Sequence, residues 1–149
     1  MTDPRPLPAP PFPVGDLVPH QPPMLWIDEV TEHGDESIVC RVTLRREHVF
    51  LDAGQAESVV VVELMAQSVA AFVGLADRQK GDPPRPGYLV AIPEARFFVP
   101  EVTLGQVIDI SCARRFGAEK IASFFCVARH GNVALAEAII NVVRPDASE

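Results

Sequence analysis

Apolar and polar positions along this chain fall into one long apolar run flanked by shorter, strand-like ones. From Met24 to Val30 the apolar residues make a short strand-like stretch, and Glu32-His33-Gly34-Asp35 is turn chemistry. Ser37 to Leu44 (SIVCRVTL) alternates loosely and is rich in branched residues, so the two stretches read as a hairpin. Arg45 to Gln55 reads as a loop that closes on Asp52-Ala53-Gly54. Val59 to Val62 alone favours a strand, but residues 58–79 run on without proline and hold strong helix formers, so length decides for a helix. Ser58 is its expected N-cap, with Gly81 and Pro83 as the stop. Further strands are expected at 87–99, 106–115, 121–129 and 133–143, broken by Pro100, Gly105, Gly117 and a hairpin turn at His130-Gly131-Asn132.

Residues 1–23 hold so many prolines that they predict an extended arm with at most one turn, at 14–18. Its tip, Val18-Pro19-His20-Gln21-Pro22-Pro23-Met24-Leu25, is apolar for a solvated linker and is expected to pack down. The order is then two strands, one helix that is apolar on nearly every face, and four strands. A helix without a polar face has to be enclosed, and a curved antiparallel sheet of about six strands wrapped round it does so economically. The expectation is an α+β chain of the hot-dog fold, with residues 1–149 as a single domain.

Composition narrows the function classes. Hydrophobic residues make up 48% and charged residues 22%, a globular balance. A net charge of -7 argues against nucleic acid or an anionic membrane as the main partner, since either needs a basic footprint. Residues 59–76 are long and apolar enough to raise the question of a membrane span. Glu63 and Gln67 lie inside that run, however, and a charge at that depth costs ~2.5–3.5 kcal/mol. A core helix accounts for the same composition. Cys40, Cys112 and Cys126 are scattered through apolar runs, as reduced core thiols of a cytoplasmic protein would be. The start of the sequence lacks a basic segment followed by an apolar one, so no signal peptide is expected.

Glu63 and Gln67 are spaced i,i+4 and share a helix face among Val59, Val60, Val62, Leu64, Met65, Ala66 and Ala70. A lone carboxylate in such company is costly unless it is paired or protonated, which makes Glu63 a candidate general acid, with Gln67 orienting it or the ligand. Four histidines compete as the base. His33 and His130 fall in turn segments, His48 precedes Val49-Phe50-Leu51, and His20 sits on the stiff arm. The sequence holds no G-x-S-x-G, metal-ligand spacing, P-loop or G-x-G-x-x-G, so neither a metal nor an organic cofactor is implied.

Three segments carry a family resemblance: Leu17-Val18-Pro19-His20-Gln21-Pro22-Pro23-Met24-Leu25-Trp26-Ile27-Asp28, Glu63-Leu64-Met65-Ala66-Gln67, and Ile92-Pro93-Glu94-Ala95-Arg96-Phe97, with Gly105-Gln106 closing the next turn. In order and spacing they resemble the hot-dog 3-hydroxyacyl-ACP dehydratases of the FabZ type over residues 14–143. The resemblance implies that Glu63 is catalytic. The family's catalytic histidine lies in a G-H-F-P loop before the helix, whereas Phe50-Leu51-Asp52-Ala53-Gly54-Gln55-Ala56-Glu57 is shorter and holds no histidine. That shorter loop is more similar to the ApeP-type dehydratase homologues of aryl-polyene gene clusters, which pair P-H-x-P-P-M with a D-x-G segment and an E-x-M-A-Q helix. In that pattern His20 is the natural base, with His48 the alternative and a site without a histidine base the third case.

The expected reaction is dehydration of a 3-hydroxyacyl thioester, carried by acyl carrier protein, to the trans-2-enoyl product. His20 takes the α-proton, Glu63 protonates the leaving hydroxyl, and backbone N–H groups from Gly54 to Ser58 hold the thioester oxygen beside the helix start. The alternatives are an acyl thioesterase and a non-catalytic acyl-binding subunit that completes a heterodimer. A homodimer or a heterodimer with a related hot-dog subunit is the expected assembly. Arg78, Lys80 and Arg85, or Arg96, Arg114 and Arg115, are the candidate docking sites for the acidic carrier.

Overall fold

The computed structural model describes residues 9–18, 24–48, 52–83, 87–117 and 120–145. His20, Arg85 and the arm tip around Pro19–Pro23 lie outside them. The described chain runs β1 (Phe12–Pro13), a 3-10 turn (Gly15–Leu17), β2 (Glu29–His33), β3 (Ser37–Thr43) and β4 (Gln55–Glu57). A 3-10 turn (Ser58–Val60) then leads into the helix α1 (Val61–Gln79). After it come β5 (Tyr88–Phe97), β6 (Glu101–Thr103), β7 (Val107–Gly117), β8 (Ile121–His130) and β9 (Val133–Val143).

Seven of these strands form one sheet in the order β1-β2-β3-β7-β8-β9-β5, antiparallel throughout, while β4 and β6 pair separately. Period-two alternation builds its inner face. Cys40, Ile110, Ala128 and Ala136 lie in register as one buried row, and Ile38, Cys112, Cys126 and Ala138 as the next. Onto these rows α1 lays Val61, Leu64, Met65, Ser68, Ala71 and Leu75, all buried. The result is a hot-dog fold, with an antiparallel sheet of about seven strands round one long helix. The stretch Ser58–Gln79 that is apolar enough to cross a membrane is thus the core helix of the sheet.

Gly74 brings the N-terminal turn onto this helix. A Cβ there would sit 1.8 Å from the Leu17 carbonyl oxygen, so only glycine lets the two backbones meet. Val14, Leu17 and Val18 are buried as a consequence, and the arm is packed down as far as Val18.

Several details of the expectation need correction. The sheet has seven strands rather than about six, because the two-residue β1 adds an edge that no periodicity could announce. The first hairpin strand begins at Glu29, not Met24, since the backbone of residues 24–27 is drawn toward the helix instead. Ser58 does not cap the helix with its side chain. Its hydroxyl donates to the Val99 carbonyl, and its N–H donates to the Pro100 carbonyl 3.0 Å away. Finally, α1 is not enclosed on every face: Glu63, Ala66, Ala70 and Val73 remain only partly buried.

That open side is next to β5, an edge strand that is exposed along all ten residues. Tyr88, Leu89, Val90, Ile92 and Phe97 are among the large apolar side chains it leaves in solvent. Pro93 in the same strand is tolerable only at an edge, where its missing N–H breaks no ladder.

Candidate active site

The first two turns of α1 carry the polar pair. Gln67 is fully buried, and its amide is matched at every face. Its Oε1 accepts from the N–H groups of Trp26 at 2.9 Å and Ile27 at 3.3 Å. Its Nε2 donates to the Met24 carbonyl at 2.7 Å and to Glu63 Oε1 at 2.9 Å. Flipping the amide would set donor against donor and acceptor against acceptor, so its orientation is unambiguous. Gln67 therefore ties the arm segment 24–27 to the helix turn that bears Glu63.

Glu63 opens a cavity that continues along one helix face past Ala66, Ala70 and Val73 to Arg144, with Leu89 of β5 on the opposite wall. The small alanines on successive turns of that face leave the room. Gly54 lines a separate hollow with Arg46, Ala53 and Leu104. Its positive φ of 80°, after Ala53 at 53°, closes the tight turn joining Asp52 to Gln55. Gly54 and Ser58 are thus not drawn into the Glu63 cavity, and the Ser58 N–H is already committed to Pro100.

His48 is buried and stacked on Trp26, with ring centroids 5.0 Å apart. Burial holds its imidazole below the ordinary histidine range, helped by the Arg45 charge. Its Nδ1 accepts the Arg45 N–H at 3.2 Å, so the neutral ring carries its proton on Nε2. A base needs a free lone pair, and His48 has spent its own on the backbone. His33 ends β2 with its ring edge-on to Phe12 at 5.9 Å, and the exposed His130 ring contacts the Val107 carbonyl at 3.0 Å. Burial keeps the Cys40 and Cys112 thiols protonated, with Cys40 pushed up to about 12 and Cys112 raised well above its usual value. Among the described residues no cluster of His, Cys, Asp or Glu is set to hold a metal ion.

One pair escaped the sequence reading. Asp77, late in α1, and Arg144, just past β9, form a buried ion pair in which Nη2 donates to Oδ2. Helical spacing alone would have placed Asp77 on the buried side with Gly74 and Leu75, which was the available signal.

The sequence matches the family model described as ApeP-like, ApeP dehydratase, over residues 12–149. The chain belongs to the ApeP-like family. Among solved structures, it is similar to the dehydratase heterocomplex ApeI:P from Xenorhabdus doucetiae, at 26% identity and a TM-score of 0.86, over 93% of this chain and 94% of that one. Two more distant likenesses show the fold alone. One is a hypothetical thioesterase protein with coenzyme A from Streptococcus pneumoniae (13% identity, TM-score 0.58, over 77% of this chain and 86% of that one). The other is PaaI of the E. coli phenylacetic acid degradation operon (10% identity, TM-score 0.60, over 77% and 81%). No curated protein matches the sequence. ApeP-like membership bears out the resemblance read from the E-x-M-A-Q helix and the P-H-x-P-P-M arm.

Proposed function

We propose that this ApeP-like chain dehydrates a 3-hydroxyacyl thioester, delivered by acyl carrier protein, to the trans-2-enoyl thioester in the cytoplasm. The observation that carries the reading is Gln67 joining Glu63 and the arm segment 24–27 in one hydrogen-bonded unit. Three residues separate Met24 from His20, a chain reach of at most ~14 Å. The choice of His20 as the base follows the P-H-x-P-P-M pattern of the arm. In the proposed reaction His20 takes the α-proton and Glu63 delivers a proton to the departing β-hydroxyl. The C–O bond breaks as the Cα–Cβ double bond forms, and water leaves. Gln67 Nε2 holds one Glu63 oxygen and so sets the direction of the carboxyl. The thioester oxygen is held by backbone N–H groups at the start of the helix, with Gly54 and Ser58 outside the Glu63 cavity. With the Ser58 N–H engaged, orphan donors of the following turn take the larger share.

The partner in this reading is a related hot-dog subunit, or a second copy, added at β5. Open edges have to be paired or covered, and β5 borders the Glu63 cavity through Leu89. The relative named as an ApeI:P heterocomplex supports a heteromeric assembly.

The test is product chemistry. Purified chain, alone and with its candidate hot-dog partner, is given a 3-hydroxyacyl-carrier substrate. Loss of water with the thioester intact supports the reading; release of free thiol points to a thioesterase. No reaction in either arm assigns the chain to acyl binding alone.

A further inference from the structure

The face of the sheet turned away from α1 carries an apolar patch. Alternation along β8 and β9 turns Phe124, Cys126, Ala138 and Ile140 inward, and so turns Phe125, Ile139 and Asn141 outward. The register aligns three outer rows across β8, β9 and β5: Ile121–Val143–Tyr88, Ser123–Asn141–Ala91 and Phe125–Ile139–Glu94. On β7, Phe116 stands opposite Ser123 and extends the second row. Tyr88, Phe116, Ile121 and Phe125 are each 40–60% exposed. At ~200 Å² for a large side chain, they leave about 400 Å² of apolar surface in solvent, a patch size that is often functional.

The chemistry of the patch selects its occupant. The first two rows hold no charge, and the third ends in Glu94 at the β5 edge, beside Arg96. At the rim, Arg115 lies over the Phe116 ring at 5.4 Å and donates to Ser123 Oγ at 3.3 Å. An acidic carrier is recognised by cations, which the rows lack. Residues 1–8 offer only Met1 and Leu7 as large apolar side chains, and residues 146–149 offer none. A second copy of the same face fits better. Next to a two-fold axis each group meets its own copy, so the centre of such a contact has to be uncharged, as these rows are. Two copies bring about 800 Å² together, and the partly buried Ile139 and Val143 raise this toward ~1,000 Å², the lower bound for a specific interface.

We infer that two copies of this chain associate back to back through the outer face of β7, β8, β9 and the start of β5. This contact is separate from edge pairing at β5, whose strand edge lies at right angles to it. An interface of this size forms and dissociates with concentration, so edge-paired units double into a larger assembly as the protein is concentrated.

The test reads mass by sedimentation on the full chain in the assembly it purifies in, from about 1 µM to about 200 µM. The wild type is expected to double its mass across that range. Sodium sulfate, which strengthens apolar burial, is expected to move the doubling to lower concentration without any substitution. Phe125→Asp and Ile121→Asp each bring a carboxylate to the contact and are expected to halve the mass at the top of the range, with folding retained by circular dichroism. A wild-type mass that stays constant in both salt conditions overturns the inference, as does a doubled mass that persists in the folded variants. A wild-type dimer that Phe125→Asp reduces to monomer and Val90→Asp does not would keep the back-to-back contact and remove the β5 pairing. Constant wild-type mass together with weaker carrier binding by Phe125→Asp would overturn self-association and give the face to the carrier. None of these readings depends on turnover, so the dehydratase reading stands or falls separately.

Discussion

Gln67 Nε2 donates to Glu63 Oε1 across 2.9 Å, one helical turn away, and the same amide grips three backbone groups of residues 24–27. The proposed acid is thus oriented by the residue that docks the arm. Replacing Gln67 by Leu would leave the Trp26 and Ile27 N–H groups and the Met24 carbonyl unmatched. A loss of ~2–4 kcal/mol in denaturant unfolding is expected, together with reduced kcat. Gln67→Glu should fare little better, because its second oxygen would face both the Met24 carbonyl and the Glu63 carboxyl.

The two candidate bases separate by mutation. His20→Ala is expected to lower kcat by ~10²–10⁴. His48→Phe keeps a ring stacked on Trp26 and is expected to leave kcat near wild type. A large loss in His48→Phe with none in His20→Ala, measured by enoyl-thioester absorbance, would reverse the assignment.

His48 also gives stability a pH dependence. Its folded-state affinity for protons is depressed below the ordinary 6.5, so the unfolded chain binds the extra proton first as pH falls. Its contribution is therefore fully present above pH 6.5, declines as pH drops through that value, and levels off once the folded imidazole also protonates. Unfolding free energies of wild type and His48→Phe at pH 7.5 and 5.5 are expected to show a shallower decline in the variant. NMR titration should place the His48 imidazole below 6.5.

For carrier docking, the two candidate sets separate by mutation. Arg114 is clamped bidentate by Glu36, and Arg96 lies near Glu94 and Glu137. The proposed function takes the helix-end set of Arg78, Lys80 and Arg85 as the docking site for an acidic carrier. Lys80→Glu is expected to weaken carrier binding several-fold and flatten its salt dependence, while Arg114→Gln leaves both unchanged. The opposite pattern in a salt-series titration would move docking to the sheet.

The long helix, the hairpins and the i,i+4 pair were legible because each obeys a local period. The rest depended on contacts distant in sequence. Nothing near Gln67 signals that it matches the backbone of Met24, Trp26 and Ile27, and nothing near Asp77 signals Arg144. The strands β1, β4 and β6 are two or three residues long, too short for any alternation to register. Ser58 has the right chemistry for an N-cap, yet its hydroxyl turns to Val99 because the β5–β6 connection runs alongside it. An apolar helix implied full enclosure, but part of that apolar face lines a cavity beside the exposed strand β5.

That strand makes assembly testable. The chain is expected to scatter light as a dimer or larger species at micromolar concentration, alone or with its partner. Val90→Asp should shift it toward monomer and reduce activity with it, since the edge borders the cavity.

The central claim rests on one carboxyl. Glu63→Gln keeps the shape of the side chain but removes its transferable proton, and the account predicts a ~10²–10⁴-fold fall in kcat for dehydration with folding intact. Wild-type turnover by folded Glu63→Gln would contradict it and place the catalytic acid elsewhere, in this chain or in its partner.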